Sequence, residues 1–68
     1  MTGDEYRDAI SHLKLTQIDS ATFFHVNETT VRKWIAEKHS IPAAVEMLLL
    51  VMRRYNLTPE HVMSLVHH

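Results

Sequence analysis

The chain has 68 residues, of which 46% are apolar and none is cysteine, and seven Lys+Arg stand against eight Asp+Glu for a formal net charge of −1. That length predicts one domain over residues 1–68, near the lower limit for a lone hydrophobic core, and the apolar share excludes a disordered chain. Disulfides and thiolate zinc sites are excluded, no apolar run approaches the roughly 20 residues of a membrane span, and the acidic start MTGDEYRD is unlike a signal peptide, so a cytoplasmic location is expected.

One Gly and two Pro leave little room for loops, and no segment alternates as a strand would, so the expectation is an all-α, compact bundle of about five short helices. The first helix should start at Thr2 or Asp4 and run to about His12, with Tyr6, Ala9, Ile10 and Leu13 spaced as one buried stripe. Thr16 is the expected N-cap of the second: its hydroxyl can accept a free backbone N–H, and Asp19 suits the first turn. Ile18, Ala21 and Phe24 should face inward, with Phe23 beside them.

Asn27 repeats the capping device for a third helix. Val31, Trp34 and Ile35 form its apolar face; Glu28, Thr29, Arg32 and Lys33 form the other. Pro42, at the first helical position where its missing N–H costs no bond, should open the fourth helix. Thr58-Pro59 should open the fifth, burying Val62, Leu65 and Val66.

The fourth helix is apolar nearly all round. Val45, Leu48, Leu49 and Met52 make one stripe, which closes the core; Met47, Leu50 and Val51 make another. The second stripe is either core as well or a partner surface, most simply a homodimer. With Met63, these three are the candidate dimer residues, in a dimerisation region at about 42–66. Arg53 and Arg54 close the helix where cations suit its dipole.

No enzyme constellation is visible: there is no phosphate-cradling glycine loop, no Cys nucleophile and no pocketed carboxylate pair. His12, His25, His39 and His61 show no i, i+4 pairing, so neither a metal site nor another cofactor is expected, and no small-molecule ligand. His67 and His68, a native ending or the remnant of a purification tag, enter no functional reading.

Residues 15–35, LTQIDSATFFHVNETTVRKWI, resemble the helix-turn-helix of the Cro/CI (XRE-like) family of phage and bacterial repressors. The matching residues are Leu15-Thr16-Gln17, Ala21, Phe24, Val26, Asn27, Val31 and Trp34, followed by Ile41-Pro42 opening an apolar helix. Ala21 falls where the two helices approach most closely. The likeness implies a lambda-repressor-like fold with the motif at about 16–36, and a single DNA-reading head similar in size to Cro-like regulators and to the small repressors that accompany anti-CRISPR genes. It implies that Thr16, Gln17 and the first amides of the second helix hold a phosphate. It also implies that Glu28, Thr29 and Lys33 meet base edges in the major groove, with Arg32 close by; Asn27 and Thr30 are further candidate contacts, and Lys38 and His39 lie beyond the helix, either clamping the backbone or as solvated surface. Two departures stand out: His25 replaces the family's turn glycine, and Glu37-Lys38-His39 lacks the glycine common after the third helix.

Two functions follow as expectations. One is a repressor that binds double-stranded DNA, at an inverted repeat, as a homodimer. The other is a protein-interaction module, antitoxin-like or inhibitor-like, on the same scaffold. The net charge of −1 favours the second, since phosphate attraction must then come from a local patch. The cationic face of the third helix favours the first.

Overall fold

A computed structural model of the chain describes residues 1–66; the side chain of Val66, together with His67 and His68, lies outside the described residues. Among these residues run five helices, α1 (Gly3–His12), α2 (Gln17–Phe23), α3 (Glu28–Ile35), α4 (Ala43–Arg54) and α5 (Pro59–Val66), and no strand. None of the helices is long and apolar enough to cross a membrane.

Side chains chosen for the purpose start three of the five helices. At α1 the Thr2 hydroxyl accepts from the Glu5 N–H (3.1 Å), while the Glu5 carboxylate accepts from the Thr2 N–H (2.7 Å). The backbone bond from Thr2 holds the Glu5 carboxyl below its ordinary range. Thr16 and Asp19 repeat this reciprocal pair at α2 (3.0 and 3.3 Å), and the Thr58 hydroxyl accepts from the His61 N–H (3.1 Å) at α5. Two expectations need correction. Asn27 occupies the cap position of α3, but its side chain makes no cap bond. Pro42 is the cap of α4 rather than its first residue, because its ψ of 142° is still extended.

Helices α1 to α4 all end through a residue in the left-handed region, and none of the four is glycine: Lys14 (φ 62°), His25 (58°), Glu37 (59°) and Asn56 (53°). Each is followed by an N–H that reaches back to the third residue from the helix end: Leu15 to Ile10, Val26 to Ala21, Lys38 to Lys33 and Leu57 to Met52. This closure satisfies carbonyls that the helix leaves open, and it explains how the turns form without glycine. The left-handed conformation costs a non-glycine residue about 1–2 kcal/mol.

The core gathers Tyr6, Ala9, Ile10, Ala21, Val31, Trp34 and Leu49, with Met52 also buried. Tyr6 is at its centre, edge-on to Trp34 at 5.5 Å and tilted against Phe24 at 6.4 Å. The chain's one glycine has a packing reason. A Cβ on Gly3 would lie 2.1 Å from the Ile35 carbonyl oxygen, so only glycine lets the start of α1 press on the end of α3.

Burial overturns the inward placement of Ile18 and Leu65 and decides between the two alternatives on α4. Ile18, expected inward, is 59% exposed, because α2 turns Ser20 and Ala21 into the core instead. Leu65 of α5 is exposed and Val62 is only half-buried. On α4, Leu49 and Met52 are buried with Val45 and Leu48 half-buried, while the second stripe faces outward: Met47 65%, Leu50 54% and Val51 45% exposed. Met63 does not share that exposed face. It is half-buried and lines a groove of about 1060 Å³ together with Leu13, Leu15, Phe23, Met52 and Leu57.

Candidate nucleic-acid interface

The position of α3 follows from its inner face. Val31 and Trp34 are buried and Ile35 is half-buried, which fixes the helix's rotation. At 100° per residue the opposite face then carries Thr29, Arg32 and Lys33, all exposed, with the small Ala36 below them. Ala21 (4% exposed) lies where α2 packs on α3, and the intervening turn, residues 24–27, is held by the Val26 N–H to Ala21 carbonyl bond at 2.9 Å.

The expected site residues separate into those that share this face and those that do not. Thr29, Arg32 and Lys33 share it, and Lys38 and His39 are exposed just past its end, their N–H groups bonded to the Lys33 carbonyl at 2.9 and 3.3 Å. Asn27 is exposed at the amino end, with no cap bond to occupy its amide. Glu28 is half-exposed and accepts from the Arg32 guanidinium one helical turn on. Thr30 turns toward the flank and is half-buried, so it does not stand on the face with Thr29.

Charge is arranged locally. Three of the chain's seven cations, Arg32, Lys33 and Lys38, fall within seven residues. The two acids nearby are both engaged: Glu28 with Arg32, and Glu37 as acceptor for the Gly3 N–H at 3.1 Å. Among the described residues Lys33 and Lys38 make no ion pair. They supply positive charge that a net count of −1 conceals.

The start of α2 differs from what the resemblance implies. Thr16 spends its hydroxyl on the Asp19 N–H, and the Asp19 carboxylate lies against the Thr16 N–H. The capping pair engages the Thr16 hydroxyl and the Asp19 N–H and leaves the Gln17 side chain outside it. Gln17 itself is half-buried at the edge of the core.

Sequence reasoning missed Ser20. It is fully buried, accepts from the Tyr6 hydroxyl at 2.9 Å, and donates to the Gln17 carbonyl at 2.9 Å. This relay ties the centre of the core to the first residue of α2, and so to one end of the candidate interface. The available signal was Tyr6 itself: a tyrosine in a buried stripe needs a partner for its hydroxyl, and Ser20 is the small polar residue beside Ala21. Burial pushes the Tyr6 phenol above its ordinary value.

Among the described residues, no three His, Asp or Glu side chains cluster so as to hold a metal ion. In comparisons with protein-family models, curated proteins and solved structures, nothing matches the chain.

Proposed function

We propose that the chain is a sequence-specific DNA-binding transcriptional regulator of the Cro/CI kind, acting in the cytoplasm and placing the exposed face of α3 in the major groove. The observation that carries this reading is the division of α3: Val31 and Trp34 anchor one face while Thr29, Arg32 and Lys33 stand clear on the other. A helix so held can present polar side chains to base edges without moving the core. Lys38, His39 and the amides and side chains near them supply backbone contacts, and Thr29 and Lys33 supply base contacts.

One head carries a formal net charge of −1, so its phosphate attraction is small. A homodimer doubles it and sets two α3 helices about 34 Å apart on an inverted repeat. The exposed Met47, Leu50 and Val51 of α4 supply an apolar surface for that second copy. The test is a mobility-shift titration with the DNA flanking the protein's own gene. A retarded species that survives competition by unrelated DNA supports the reading; no shift at low salt removes it.

The same α4 stripe, with the net charge of −1, favours a second reading: an interaction module whose partner is another protein and which does not bind DNA. An absence of DNA binding in that titration supports it.

A further inference from the structure

The acid on the reading helix needs an explanation, because a carboxylate there repels phosphate. Glu28 is the first residue of α3, and its Oε1 accepts from a terminal nitrogen of Arg32 one turn further on. Arg32 keeps its remaining guanidinium N–H groups and Glu28 its remaining carboxylate lone pairs. The pair stays accessible, its side chains 65% (Arg32) and 36% (Glu28) exposed. The surface therefore carries a composite edge, guanidinium donors beside a carboxylate acceptor, held together before any ligand arrives.

In the major groove a G·C pair presents N7 and O6 of guanine as acceptors and then N4–H₂ of cytosine as a donor. Guanidinium donors beside a carboxylate acceptor match that order. An A·T pair presents acceptor, donor and acceptor, then a methyl group, so it sets a donor against the guanidinium and an acceptor against the carboxylate. From this we infer that Glu28 and Arg32 act as one unit that reads a single G·C base pair, Arg32 at the guanine and Glu28 at the cytosine. The inference rests on the DNA-reading proposal and names what part of that site recognises. Pairing within the helix also restricts Arg32 before binding, which lowers the ordering cost of the contact.

The test is selection of bound duplexes from a random double-stranded pool, followed by titration of wild type, Glu28→Gln, Arg32→Gln and the double variant. Thermal melting serves as the folding control. The expected wild-type motif contains a G·C pair whose replacement by A·T weakens binding about ten- to a hundredfold. Each single variant should lose that preference at the same base pair and keep the others, and the double variant should lose no more of it than either single. If the two variants alter different base pairs, or Glu28→Gln strengthens binding to every sequence alike, the inference is overturned while the DNA-reading proposal stands. A wild type that enriches no motif removes both.

Discussion

Removing the Ser20 hydroxyl should cost more than removing the Tyr6 hydroxyl that donates to it. In Ser20→Ala the phenol stays buried at the core's centre with its donor stranded, a loss of about 1–3 kcal/mol. Alanine's better helix propensity returns about 0.5 kcal/mol. In Tyr6→Phe the Ser20 hydroxyl still donates to the Gln17 carbonyl, so only one net hydrogen bond of about 0.5–1.5 kcal/mol disappears. At about 0.05–0.15 kcal/mol per residue, a domain of this size holds roughly 3–10 kcal/mol in all, and each kcal/mol shifts melting by about 4–8 °C. The net loss of about 0.5–2.5 kcal/mol means that Ser20→Ala should melt about 2–20 °C lower by circular dichroism, and Tyr6→Phe less. In a Tyr6→Phe background, Ser20→Ala should cost only about 0–1 kcal/mol further, since just the bond to the Gln17 carbonyl is lost and helix propensity offsets part of it. Equal costs of Ser20→Ala in both backgrounds would show that the two hydroxyls are not coupled and that the relay is not what orients α2.

The same phenol sets an alkaline limit: with its folded value raised, its contribution to stability is whole below about pH 10 and is lost as pH rises through the folded value. Melting measured between pH 9 and pH 12 should show that loss in wild type and not in Tyr6→Phe. Gly3→Ala should destabilise by about 1–3 kcal/mol, because the added Cβ meets backbone that cannot rotate aside; an unchanged melting temperature would mean α1 does not press on Ile35. His25→Gly should melt at the same temperature or a few degrees higher, the left-handed cost of about 1–2 kcal/mol being relieved and about 0.5–1 kcal/mol returned to the unfolded chain. Glu37→Gly should gain less, since it also removes the acceptor of the Gly3 N–H. Leu50→Glu should leave a folded monomer, because that side chain lies outside the core; sedimentation of the wild type as a monomer at micromolar concentration, both free and on DNA, would refute the proposed dimer.

The five helices were legible because their beginnings are written in local chemistry. Thr2, Thr16 and Thr58 each cap in the way their position in the sequence suggests. The stripe of α1 and the inner face of α3 were legible from spacing alone. The rotation of α2 was not, because its apolar pattern is short and the deciding interaction, Tyr6 to Ser20, spans fourteen residues. That contact places Ser20 inside and leaves Ile18 outside. The helix ends were half legible: His25 and Glu37 stand in glycine-like positions, but the back-bonds that make such endings tolerable appear only in the fold. On α4 both apolar stripes look alike in sequence, and only packing against α1 and the core separates the buried one from the exposed one. At the candidate interface the sequence brought Thr29, Arg32 and Lys33 to one face and Asp19 to the first turn of α2, yet not the pairing of Glu28 with Arg32 or the bond from the Thr16 N–H to Asp19.

The proposal that α3 reads DNA is tested most directly by titrating wild type, Lys33→Ala and Gln17→Ala against the selected duplex and a scrambled one at several salt concentrations. Lys33 is an exposed cation on the outer face of α3 with no ion pair among the described residues, so its loss should cost about 1–3 kcal/mol on the selected duplex and little on the scrambled one. Gln17, at the start of α2, should weaken both alike. Equal losses on the two duplexes for Lys33→Ala would show that α3 is not the reader, and no binding by the wild type at low salt would contradict the account altogether.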